Sequence, residues 1–240
     1  MRRINIIKDG KTPHTNSEWF EIAPPEKGEK QWKPYHSASE LADYFLHYEK
    51  EVPPEIDELL TELNISSNDF IGIPEHQTPF PADEFGEGGP RHHDLLLVAK
   101  DNEVVIGIEA KATESLDKDV NKYKLDTENR KKRYGGICEA ILNQPIDKCD
   151  GIKYQLLSAT LGTLLETKDT PIKKAILLVL LFDSKIVPPK HIEATKKDIK
   201  RFTDMLSPKG EGPYHIPYMP DIDFYVKFIN VPVCSYCDKK

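Results

Sequence analysis

One segment restricts the fold more than any other. Ala175 to Phe182 reads Ala-Ile-Leu-Leu-Val-Leu-Leu-Phe, an unbroken apolar run. It is far too short to cross a bilayer, and its branched residues suit a strand buried on both faces. Such a strand needs helices on both sides of its sheet, so the chain is expected to fold as α/β. At 240 residues, with 38% hydrophobic and 30% charged side chains, it can bury a substantial core and has the composition of a globular protein.

The neighbouring segments fit that frame. Ser37-Ala38-Ser39-Glu40 has the form of a capping box, followed by Leu41, Phe45 and Tyr48 at helical spacing until Pro53-Pro54. A second short helix is expected over Glu55 to Leu63. Extended segments follow at Phe70 to Ile73 and Gln77 to Phe80. A Gly-rich turn at 86–90 leads into a strand from Asp94 to Ala99, and Glu103 to Ala112 forms the next. The charged stretch from Glu114 to Arg133 reads as an exposed insertion. A helix from Gly151 to Glu166 carries small residues, Ser158, Ala159 and Gly162, that allow close packing on a sheet. An amphipathic helix with Ile192, Ile199, Phe202 and Leu206 inward precedes a last strand, Ile222 to Val231, at the sheet edge. The expected division is one domain: a 1–36 extension, a 37–183 core, and a 184–240 helix and edge strand.

The opening Met1-Arg2-Arg3-Ile4 is not followed by a long apolar stretch, so no secretory signal is read there, and a cytoplasmic, membrane-free protein is the expectation. The net charge of −7 argues against a protein that coats nucleic acid through its overall field. It leaves room for an enzyme with a local basic cleft, and Arg130-Lys131-Lys132-Arg133 and Lys196-Lys197 with Lys200-Arg201 are basic clusters that read either as its lining or as solvated helix faces, the second cluster more as a solvated face. Of the four cysteines, Cys234 and Cys237 form a C-x-x-C that lacks two matching partners. Reduced thiols are therefore the expectation, with structural zinc the alternative.

Chemistry concentrates between His92 and Lys111. A hairpin turning between Asp101 and Asn102 pairs residues whose numbers sum to 203, which sets Asp94 opposite Glu109. Opposed Cβ atoms are roughly 4.5–5.5 Å apart, and Lys111 shares the face of Glu109. Val104, Ile106, Ile108 and Ala110 form a core row on the other face, while Gly107 is expected to leave space beside the carboxylates. Facing carboxylates repel unless something compensates them. A divalent cation held by Asp94, Glu109 and the Ala110 carbonyl would do so, with Lys111 handling the nucleophile or phosphate charge. On this reading Glu109→Gln weakens Mn²⁺ binding and leaves the thermal melt nearly unchanged.

This Asp-x14-Glu-x-Lys pattern resembles the PD-(D/E)XK phosphodiesterase superfamily, whose members share a restriction-endonuclease-like core of helix, three strands, helix and strand. The resemblance covers roughly Ser37 to Asp183, and His93 stands where many members have proline. It implies a Mg²⁺- or Mn²⁺-dependent nuclease acting on DNA more than RNA, with a homodimer as one way to cut both strands. Gln155 would then support the catalytic lysine or contact substrate, or else be a helix-surface amide. Glu40 is a candidate further acid, although its cap position already gives it a structural use. Glu75 is a candidate third ligand or a surface glutamate. His92 has the parity to face the site, as a phosphate contact or as a solvated strand-end histidine. A second resemblance, to a group of bacterial proteins with such a core, rests on Trp32-Lys33, Ser37-Ala38, Pro74-Glu75-His76, Gly88-Gly89 and Lys153-Tyr154-Gln155-Leu156-Leu157, and implies no substrate. The rival class is a degenerate nuclease fold serving as a binding or assembly module.

Overall fold

The computed structural model describes residues 1–183, 189–207 and 212–233. The chain runs β1 (Arg3–Ile6), α1 (Asn16–Ile22), α2 (Ser37–His47), α3 (Pro54–Glu62), β2 (Asp69–Thr78), α4 (Ala82–Phe85), β3 (Arg91–Ala99) and β4 (Val104–Lys111). It continues with α5 (Glu128–Arg130), α6 (Gly136–Leu142), α7 (Tyr154–Leu165), β5 (Lys174–Asp183), α8 (Pro189–Leu206) and β6 (Asp223–Pro232). The strands form one six-stranded mixed sheet in chain order. β2, β3 and β4 form an antiparallel meander, whereas β1 joins β2, β5 joins β4 and β6 joins β5 in parallel.

Helices cover both faces, as the doubly buried β5 requires. On one side α1, α2 and α3 pack Trp19, Leu41, Phe45 and Ile56 against Leu95, Leu97, Ile106, Ile176 and Leu178. On the other, α6, α7 and α8 pack Ile137, Leu161, Leu164 and Phe202 against Leu96, Val105, Leu177 and Val179. Each fully buried side chain of this size contributes roughly 1.5–3 kcal/mol of transfer free energy, so the two layers together dominate the folding energy.

Several expectations shift. Pro74 and Glu75 lie within one continuous β2 rather than between two strands, whereas the short strand that residues 3–7 suggest is present as β1 and joins the sheet. The charged 114–133 stretch anchors itself with buried Leu116 and Val120. Helix α2 begins after His36, which makes no side-chain cap. Instead the Tyr35 N–H donates to Glu40 Oε1 at 2.7 Å, so Glu40 ties down the helix entry by a different bond from the capping box. No helix among the described residues is long and apolar enough to cross a membrane.

Candidate functional site

The β3–β4 register is the expected one: Leu95 pairs with Ile108, Leu96 with Gly107, Leu97 with Ile106 and Val98 with Val105. Asn102 turns the hairpin in the left-handed conformation (φ 60°), which asparagine tolerates better than most residues. The regular ladder stops at Leu95–Ile108. Beyond it, the Ala110 N–H donates to Asp94 Oδ2 at 2.7 Å. In an extended strand the N–H and C=O of one residue point to the same side, so the Ala110 carbonyl is aimed into the same gap, beside Asp94.

β2 and β3 change orientation together at this point. Their pairing continues on either side of Glu75 and Asp94, from Pro74–Leu95 to His76–His93, but Glu75 adopts φ 47°. Leu95 and Leu97 face α2, yet Arg91 and His93 face α7, where both approach Gly162. Simple alternation would give His93 the side of Leu95 and leave His92 the parity to face the site, but the flip turns His93 to the α7 side instead. His92 is half-buried, whereas Arg91 and His93 are the side chains of this segment that meet the site's neighbours. Gly107 also serves another purpose than expected. A Cβ there would meet Thr163 Oγ1 at 2.1 Å and His93 Nδ1 at 3.0 Å, so the glycine admits α7 and the imidazole rather than leaving room for carboxylates.

Glu109, 2% exposed, is the centre of the cluster. Arg91 forms an ion pair with its Oε2, Lys111 Nζ lies 3.1 Å from its Oε1, and the Gln155 amide donates to Oε1. Gln155 therefore supports the glutamate, not the lysine, and it does so from the first turn of α7. Asp117 fixes that turn, since its Oδ1 accepts the Gln155 N–H at 3.0 Å while Tyr123 donates to its Oδ2 at 3.1 Å. Arg91 and Asp117 escaped the sequence reading because their positions depend on the strand flip and on the path of the 112–122 loop.

The electrostatics follow from burial. Desolvation pushes the Lys111 ammonium below its ordinary range, and the Asp94 carboxylate opposes part of that shift. Arg91 is pulled down by burial against the same carboxylate. Burial and the charge of Asp94 push Glu75 up to about 8, against the pull of Lys8 and Arg91. The structure thus brings Asp94, Glu109, Lys111 and Gln155 together, with Glu75 at their edge. The repulsion expected between Asp94 and Glu109 is met here by Arg91, Lys111 and the Ala110 N–H.

The donor set suits a hard cation. Asp94, Glu109 and the Ala110 carbonyl offer oxygen ligands, the chemistry Mg²⁺ prefers while it keeps several waters. Among the described residues there is no group of three His, Cys, Asp or Glu placed to cage a metal, so Glu75 does not complete a third-carboxylate site. Cys138 and Cys149 are free and buried, and Cys234 and Cys237 lie outside the described residues. Of the basic clusters, Arg133 turns inward, its Nε donating to the Tyr154 hydroxyl at 3.1 Å. Arg130 and Lys131 pair with Asp126 and Glu128. Lys196 and Lys200 are likewise paired, with Glu193 and Asp204. No curated protein and no solved structure matches the chain. Residues 13–231 match a domain of unknown function, DUF6946, and the chain belongs to that family.

Proposed function

We propose that this protein is a metal-dependent phosphodiesterase, a DNA-cleaving nuclease of PD-(D/E)XK type. The observation that carries the reading is the convergence of Asp94, Glu109 and buried Lys111 at the carboxyl end of β4, next to the first turn of α7. Packing these charges away from water costs several kcal/mol per ion, and apolar residues of similar volume would often be at least as stable. A catalytic use accounts for the cost. The order α2 and α3, the β2–β3–β4 meander, α7, then β5 parallel to β4 also supports a restriction-endonuclease-like core.

Asp94, Glu109 and the Ala110 carbonyl would hold Mg²⁺ or Mn²⁺. When bound, the ion would polarise a phosphate oxygen and make water a better nucleophile. Lys111, anchored on Glu109, would orient that nucleophile or neutralise charge growing on the phosphate. Gln155 would keep the Glu109 carboxylate in one rotamer, and Asp117 would keep Gln155 in place.

One observation favours a second reading, a nuclease fold kept as a binding module: both oxygens of Glu109 already have protein partners. The test is cleavage of plasmid, linear duplex, single-stranded DNA and RNA with Mg²⁺, Mn²⁺ or EDTA, beside Lys111→Ala. Metal-dependent cutting that Lys111→Ala abolishes supports the enzyme and identifies its substrate class. A folded protein that cuts none of the four supports the module.

A further inference from the structure

Arg91 occupies an unusual place. Its guanidinium is paired with Glu109 Oε2 inside the protein, on the carboxylate that the proposed ion would need. Among the described residues its buried Nε has no hydrogen-bond partner. An unsatisfied buried N–H costs about 1–3 kcal/mol, so a purely structural Arg91 is a poor solution. Asp94, Asp117, Glu75 and Tyr154 favour its charge, while Lys111 and His93 lie close enough to oppose it. A guanidinium presents five donors in a rigid fork that matches a carboxylate or a phosphate, and it cannot serve both with the same pair of N–H groups.

We propose that Arg91 is a gate whose guanidinium is exchanged between Glu109 and a substrate phosphate. With no cation present, Arg91 neutralises Glu109 and keeps the two-carboxylate centre stable. Were a divalent cation held at Glu109, its charge would replace that of Arg91 and the guanidinium would be free to leave the carboxylate. The freed fork, with its unpartnered Nε, then binds phosphate beside the scissile bond. Lys111 stays on Glu109 Oε1 together with Gln155, so the rest of the network holds its shape through the exchange. The inference rests on the metal-dependent reading of the site and adds the residue that couples cation binding to substrate binding.

Two consequences are measurable without turnover. Removing the competitor should tighten the cation, so Arg91→Met should bind Mn²⁺ about tenfold more tightly than the wild type, the order set by losing one charge-assisted hydrogen bond. Coupling must also be reciprocal. Inorganic phosphate should tighten Mn²⁺ binding more in the wild type than in Arg91→Met, where only its direct contact with the ion remains.

The experiment is Mn²⁺ titration of the full chain, followed by electron paramagnetic resonance of the free ion, with and without phosphate. Arg91→Lys keeps the charge without the fork and is expected between wild type and Arg91→Met; it decides the matter if Arg91→Met does not fold. Equal or weaker Mn²⁺ affinity in the folded variants overturns the gate while leaving the metal centre intact. Absence of Mn²⁺ binding in wild type and variants alike overturns the metal centre itself, and the gate with it.

Discussion

The Ala110 N–H donates to Asp94 Oδ2 at 2.7 Å, just past the last regular pair of the β3–β4 ladder. One carboxylate oxygen therefore acts as a structural clasp, and on the proposed reading the other is the one that would meet the cation. These two uses can be separated. Asp94→Asn keeps an acceptor oxygen for the Ala110 N–H, and we expect it to melt within about 1 kcal/mol of the wild type. Asp94→Ala removes the clasp and should cost about 1–3 kcal/mol. Both should lose Mn²⁺ affinity, because both lose the charge. Thermal melts beside Mn²⁺ titrations distinguish the variants.

Glu109→Gln tests the cluster's charge balance. The sequence reading expected a nearly unchanged melt, but Glu109 faces Arg91 and Lys111 in the interior. Removing the anion leaves two buried cations less compensated. Breaking a buried pair this way costs about 3–5 kcal/mol, which corresponds to a fall in Tm on the order of 10 °C for a chain of this size. Scanning calorimetry measures it directly, and a melt unchanged from wild type would show that the cations find other partners.

The contact of Gly107 with α7 predicts a specific pair of variants. A methyl group at 107 would collide with Thr163 Oγ1 and crowd His93, in a core with little slack. We expect Gly107→Ala to cost about 1–3 kcal/mol. Thr163→Ala removes the nearer obstacle, so the double variant should recover part of the loss. Strict additivity in denaturant titrations would place the collision elsewhere.

A pH dependence should arise far from the site. Burial works against the Glu103 charge, but hydrogen bonds from Ser66 and Ser67 outweigh it and hold the carboxyl at about 2. Its unfolded value is about 4.3. The stabilisation is therefore fully present above the unfolded value and is lost as pH falls from about 5 towards 2. With its partial exposure discounted, we expect Glu103→Gln to be less stable than wild type by about 1–2 kcal/mol at neutral pH. The gap should narrow towards pH 2, where the wild-type carboxyl is half protonated, and close below it.

The hairpin was legible because its signals agree. Asp101-Asn102 supplies the turn, and the alternation of Val104, Ile106 and Ile108 fixes which face is core, so the register follows. The apolar run of β5 announced the covered sheet in the same way. Arg91 and His93 were not legible, because alternation holds only while a strand stays regular. The left-handed conformation of Glu75, which lies across the ladder from Asp94, coincides with the swap of faces in β2 and β3, with no glycine to mark it. Helix α6 was missed because its short apolar stretch, with Ile137, Ile141 and Leu142, follows directly on a charged segment. The link from Asp117 to Gln155 joins residues 38 positions apart through an irregular loop, for which sequence spacing offers no rule.

The most direct measurement is the anomalous diffraction of Mn²⁺ in crystals of the protein. We expect one strong peak about 2.1–2.3 Å from Asp94, Glu109 and the Ala110 carbonyl, with the Arg91 guanidinium moved off Glu109. No peak at saturating Mn²⁺, with Arg91 still paired to Glu109, would contradict a metal-dependent active site at this position.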